Sequence, residues 1–268
     1  MSNADSVKTP LLSDVLQIVA AMLRGEDSVF AQLRRHRIGL LWCLAASAAG
    51  ALACVALGQV TGLELGLFTR DPANIYQTNP EVRPMPYIGI LSNLGLLLWA
   101  ACVALDLAGA RLVKGTSREA RWRGFFLASA CVTGFLMLDD AFMFHEWLFP
   151  EVFHLREYQL YLIYIAVMGG YLLVHRRLLL GTPYLFLLVA MVLFIGSMGI
   201  DKLVPFDNTE AFYEDILKFG ALCFWVAYSA AVLLQAAGQQ AVEVVARGLE
   251  VVAPDGNRRA HSRGGPTA

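Results

Sequence analysis

The sequence predicts an all-α polytopic membrane bundle of six transmembrane helices behind an N-terminal amphipathic helix, and three observations carry that prediction. Apolar residues make up 57% of the 268-residue chain, charged residues make up 16%, and mean hydropathy is +0.55, too apolar for a soluble domain of this length. Six apolar runs approach or exceed the roughly 20 residues a helix needs to cross a bilayer. Lys and Arg concentrate in alternate connections between those runs, the asymmetry of a chain that threads back and forth across a membrane.

Residues 10–33 place Leu11, Leu12, Val15, Leu16, Val19 and Leu23 at roughly helical spacing and then meet Arg34, Arg35 and Arg37. This predicts an amphipathic helix lying on the cytoplasmic surface. The spans follow at 38–60, 87–110, 123–148, 158–175, 182–203 and 209–236. Arg34, Arg35 and Arg37 precede the first; Arg111, Lys114, Arg118, Arg121 and Arg123 lie between the second and third; Arg176 and Arg177 lie between the fourth and fifth. Those connections are assigned to the cytoplasm, because the opposite loops carry only Arg70, Arg83 and Arg156. Both termini are expected there too, in a bacterial inner membrane. The chain divides into a cytoplasmic segment 1–37, a membrane domain 38–236 and a cytoplasmic tail 237–268, rich in Gly, Arg and Pro from Pro254 and expected to be partly disordered. No cleaved signal peptide is expected, since no basic region runs directly into an apolar core with a small-residue cleavage site. Cys43, Cys54, Cys102, Cys131 and Cys223 all fall in apolar runs without CxxC spacing and read as small hydrophobes. A net charge of -1 gives no argument for a nucleic-acid partner; the expected partner is the lipid bilayer.

Three stretches break the apolar pattern: Asp139-Asp140 through His145-Glu146, Ser197 through Asp201-Lys202, and Glu214-Asp215 through Lys218. An ionisable side chain near the centre of a span costs roughly 2.5–3.5 kcal/mol on insertion scales, so such groups usually face a cavity, a partner or a substrate. On the predicted topology the third and fifth spans end, and the second and sixth begin, in the outer leaflet. Ser92 and Asn93 in the first turns of the second span therefore join the three stretches in one layer. At about 100° per residue, Asp139 and Glu146 share a face with Asp140 flanking them, and His145 points away unless the helix end distorts. Ser197 and Asp201 are four residues apart, as are Glu210, Glu214 and Lys218, with Trp225 continuing the last ladder and Asp215 beside it.

Carboxylates outnumber the cations that could neutralise them. A divalent metal is one resolution, with Asp139, Asp140, Glu146, Asp201, Asp215 and Glu214 as the candidate ligands and Ser197 as a supporting donor. Metal-bound water would then act on a lipid or lipid-linked substrate, with Asp139, Asp140, Glu146, His145, Lys218, Ser92 and Asn93 as the candidate catalytic set. A proton- or cation-coupled transporter or a membrane sensor would use the same carboxylates. A membrane scaffold with structural ion pairs is the third reading. The first and fourth spans supply scaffold alone on every reading, and the 62–86 loop is long enough to serve as a lid.

The order Ser92-Asn93, then Leu138-Asp139-Asp140, then His145-Glu146 distantly resembles the superfamily of alkaline ceramidases and progestin/adiponectin receptors. That resemblance covers about 60 residues around the second and third spans and implies a zinc-binding membrane hydrolase. It also implies seven helices and a late histidine pair, whereas this chain carries Glu214, Asp215 and Lys218 in its last span. The layout from Tyr87 through Asn93, Asp139-Asp140, His145-Glu146 and Glu214 to Lys218 more closely resembles the uncharacterised bacterial six-helix polytopic membrane families, which implies no activity.

Overall fold

The computed structural model describes residues 28–78, 80–113, 117–154, 156–203 and 208–252, together with Met22. Four long helices are α1 (Val29–Thr61), α4 (Ile90–Leu112), α5 (Ser117–Phe142) and α7 (Glu157–Leu180); α8 (Tyr184–Leu203) and α9 (Asn208–Val252) complete the bundle. Short helices α2 (Gly66–Thr69), α3 (Pro72–Thr78) and α6 (Phe149–Phe153) lie in the connections, the last preceded by a π-helical turn at Phe144–Leu148. Among the described residues five helices are long and apolar enough to cross a membrane: α1, α4, α5, α7 and α9. The apolar part of α8, Tyr184–Ile200, is shorter. The chain is a multi-pass membrane protein.

Two expected boundaries shift. Most of the amphipathic helix expected over 10–33 lies outside the described residues, and from residue 29 the chain already belongs to α1, capped by Ser28, whose side chain accepts from the Ala31 N–H at 3.4 Å. At the other end α9 runs on to Val252, well beyond the end of the span expected at 236, because no proline interrupts the chain between Gln235 and Val252. The tail from Pro254 lies outside the described residues.

The bundle is organised on α9, which packs against α8, α4 and α1, while α4 also packs along α5 and α7 lies against α5. Apolar burial gives little drive inside lipid, so association rests on close fit. Gly109 supplies one such fit: a Cβ there would overlap the Phe126 ring of α5. Trp99, Cys102, Phe125, Phe126, Leu222, Phe224 and Val232 fill the interior. Trp42 and Val60 of α1 instead point outward, 72% and 85% exposed, as lipid-facing side chains do.

The 66–75 part of the 62–89 connection packs inward, with Phe68, Thr69 and Ile75 buried and Phe68 set against Cys54, Leu91 and Phe212, whereas Arg83 to Pro86 are exposed. Gly62 (φ 70°) closes α1, and Gly89 (φ 63°) opens α4 while its N–H donates to the Leu67 carbonyl at 2.8 Å. A side chain at Gly89 would collide with the Pro72 ring. That glycine lets the connection fold back over the end of the bundle.

Candidate functional site

Asp140, in the last turn of α5, and Lys218, in the third turn of α9, form an ion pair in which Lys218 Nζ donates to Asp140 Oδ1. The other oxygen of Asp140 accepts from Trp99 Nε1 of α4 at 3.2 Å. Asp215 stands nearly one helical turn before Lys218, with the Thr69 hydroxyl of α2 within hydrogen-bonding reach and the Lys218 and Arg70 charges drawing on it. Its Oδ2 is buried and makes no hydrogen bond among the described residues. Thr69, Ser92, Asp140, Asp215 and Lys218 border a cavity of about 20 Å³, room for one water molecule or a small cation. Lys218 and Arg70 both act on Asp215, so what the site lacks is a donor to the buried Asp215 Oδ2. An unsatisfied buried carboxylate oxygen is expensive, so the gap suits a proton or a small donor such as water.

Asp139 belongs to a different neighbourhood. Consecutive residues on a helix diverge by about 100°, so Asp140 turns toward α4 and α9 while Asp139 turns toward α7. Asp139 Oδ1 accepts from the Tyr164 hydroxyl of α7 at 2.8 Å and from the His145 N–H at 3.0 Å, and its Oδ2 lies 2.9 Å from His145 Nδ1. This corrects the expectation that His145 points away. The phase argument assumed an unbroken helix over 123–148, but Met143 adopts a left-handed φ of 47°, ends α5 at Phe142 and brings His145 back onto the carboxylate. The same break removes the ground for placing Glu146 on the Asp139 face. The fourth span, assigned to scaffold alone, contributes Tyr164.

The remaining candidates separate. Ser92 lines the small cavity, whereas Asn93 is exposed on the next position of α4 and does not. Ser197 is buried on α8 without bordering the cavity. Glu214 acts on Lys218 through its charge, again from outside the cavity. The side chains of Glu146 and Asp201 lie outside the described residues, as does that of Glu210. Among the described residues no three His, Cys, Asp or Glu side chains converge as a metal shell.

Thr69, Trp99 and Tyr164 are functional neighbours that sequence reasoning missed. Trp99 had a signal, lying seven residues and two turns beyond Ser92 on the same helix face. Thr69 comes from a connection whose folding rests on Gly89, and Tyr164 is one of several tyrosines in an apolar helix; neither was marked.

A second polar cluster lies deeper. Asp106, two further turns along α4 from Trp99, is buried, hydrogen-bonded by Ser229 of α9, and leaves Oδ2 without a partner among the described residues. The Tyr171 and Tyr228 hydroxyls sit within its electrostatic reach; the first meets Ser129 Oγ at 2.7 Å and the second Thr182 Oγ1 at 3.2 Å. Gln32 Nε2 donates to the Thr182 carbonyl at 2.9 Å and Gln32 Oε1 accepts from the Leu185 N–H at 3.1 Å, which carries polar groups to the far end of the bundle. Lys218 and Ser229 are eleven residues apart on α9, about 16 Å at 1.5 Å per residue. An aromatic layer fills the interval: Trp99 stacks on Phe194 at 5.7 Å and meets Trp225 edge-on at 5.5 Å, with Phe194 and Trp225 5.8 Å apart.

Residues 38–232 match a family described as a domain of unknown function (DUF8692), and the chain belongs to that family. No curated protein and no solved structure matches it.

Proposed function

We propose that this member of the DUF8692 family is a six-span, proton-coupled transport protein of the bacterial inner membrane with both termini in the cytoplasm. Asp215, Asp140 and Lys218 form its outward proton-binding site and Asp106 its inward one. The carrying observation is Asp215: a buried carboxylate with one oxygen unpartnered, beside a one-water cavity. A proton fits that cavity and satisfies the unpartnered oxygen; a lipid headgroup does not fit it. Asp106 is a second buried carboxylate with one oxygen unpartnered, and the Trp99, Phe194 and Trp225 layer supplies the barrier between the two. Arg121, Arg176 and Arg177 at the inward end support the orientation.

The test is proton movement in proteoliposomes loaded with a pH-sensitive dye under an imposed pH gradient and membrane potential, paired with an infrared titration of the carboxylic C=O stretch. Wild-type protein is expected to move protons, and Asp215→Asn and Asp106→Asn to slow them at least tenfold while remaining folded. Flux no faster than in empty liposomes under any gradient would overturn transport. Absence of a titrating carboxyl band removed by Asp215→Asn would overturn proton binding as well and return the site to a structural ion pair.

One observation favours a second reading. Asp139 holds His145 through Nδ1 at 2.9 Å, an orientation that suits a general base. On that reading the protein modifies a lipid or lipid-linked substrate at the end of α5, with a divalent metal as the expected cofactor. Turnover of a lipid substrate abolished by His145→Gln, with flux absent, would select it over transport.

A further inference from the structure

A second, wider cavity lies at the opposite end of the bundle from Asp140, where the first turns of α5, the last turns of α7 and the late part of α9 meet. Its volume is about 690 Å³, well within the roughly 300–1,000 Å³ of ligand pockets. Arg121 comes from α5, and His175, Arg176 and Arg177 come from α7; among the described residues that line the space none is a carboxylate. Arginines at helix ends ordinarily snorkel outward to the interface. Here they converge from two helices on one concavity, and α9 adds amide donors through Gln235 and Gln239. Arg176 is held in place by its Nη1 donating to the Leu173 carbonyl at 3.0 Å. Gln235 Nε2 similarly ties α9 to the Gly181 carbonyl at 2.8 Å.

We infer that this cavity is a binding site for the phosphate group of an anionic phospholipid. Three guanidinium groups supply planar forks suited to phosphate oxygens, and basic recesses between membrane helices are suited to such headgroups. The lining also has an apolar side. Trp122 packs edge-on against Phe125 at 6.0 Å, and Val174 at the rim is 76% exposed, so the mouth opens toward the surface where acyl chains run. A soluble phosphate ester shares the headgroup chemistry but has no use for that rim. The site is independent of proton transport and stands or falls apart from it.

The test uses full-length protein in a neutral detergent, titrated with dioleoylphosphatidylglycerol, dioleoylphosphatidylcholine or glycerol 3-phosphate while thermal unfolding is followed. Phosphatidylglycerol is expected to raise Tm saturably, phosphatidylcholine to leave it nearly unchanged, and the exposed-residue variant Arg177→Gln to weaken the apparent affinity severalfold. The triple variant Arg121→Gln, Arg176→Gln, Arg177→Gln is expected to weaken it at least tenfold. Equal responses to the two lipids in wild-type protein would overturn the proposal, as would an unchanged response in Arg177→Gln, and neither result depends on the triple variant folding. Saturation by glycerol 3-phosphate alone, in competition with phosphatidylglycerol, would overturn the lipid assignment and place a soluble phosphate ester there.

Discussion

Replacing Lys218 with methionine is expected to destabilise the protein more than replacing its partner Asp140 with asparagine, and the asymmetry follows from what surrounds each charge. Lys218 faces the carboxylates of Asp215 and Glu214 as well as Asp140, so Asp140→Asn leaves the ammonium with counter-ions. Lys218→Met instead leaves Asp140 with the Trp99 indole and removes the shared cation from Asp140 and Asp215. Stranding a buried charge by deleting its partner costs about 3–5 kcal/mol. At roughly 2–4 °C per kcal/mol for a chain of this order, Lys218→Met should unfold about 6–20 °C lower. Adding Asp140→Asn to Lys218→Met removes one stranded carboxylate and should restore part of that loss, with a coupling energy of about 2 kcal/mol within the range for contacting residues. The assay is thermal unfolding of all four proteins at matched detergent and scan rate, since membrane-protein unfolding is often irreversible and only matched scans rank variants. Single losses that add within about 0.5 kcal/mol would refute the coupling. Asp140→Asn costing more than Lys218→Met would refute the charge arrangement itself.

Trp99→Phe keeps a ring in the aromatic layer but deletes the donor to Asp140, and should cost about 1.5–3 kcal/mol as a lost bond to a charged group, less than the 3–5 kcal/mol of Trp99→Ala; thermal unfolding separates them. Gly89→Ala forces an L-residue into φ 63° and against Pro72, so about 1–3 kcal/mol of backbone strain plus the collision should lower Tm and open the 62–89 connection to protease. Tyr164→Phe should lower stability by about 1–3 kcal/mol through loss of the hydrogen bond to Asp139, while leaving proton flux close to wild type because Asp139 faces away from the Asp215 cavity.

Those residues also mark how far the sequence could be read. Ser92, Asp140, Asp215 and Lys218 lie on regular stretches of α4, α5 and α9, where side-chain direction follows from a constant turn per residue and span direction follows from arginine placement. Their convergence was legible for that reason. Asp139 and His145 meet because Met143 leaves the right-handed region, and no periodicity argument anticipates a single residue at φ 47°. Thr69 reaches the site only because the 62–89 connection folds inward on a glycine whose need for positive φ appears only when Pro72 is seen against it. Asp106 was visible as an isolated charge in an apolar run, but its surroundings come from α5, α7 and α9. Assembling hydroxyls from three other helices requires helix rotations that composition does not encode.

The hydrogen bond from Trp99 to Asp140 has an optical consequence. An indole whose N–H points at a carboxylate emits at a wavelength and intensity set by whether that carboxylate is charged, and Trp225, 5.5 Å away, shares its excitation. Among the described side chains, these two tryptophans touch the interior between the buried acids. The protein therefore carries a fluorophore of its own whose emission should follow the charge on Asp140, readable without a label.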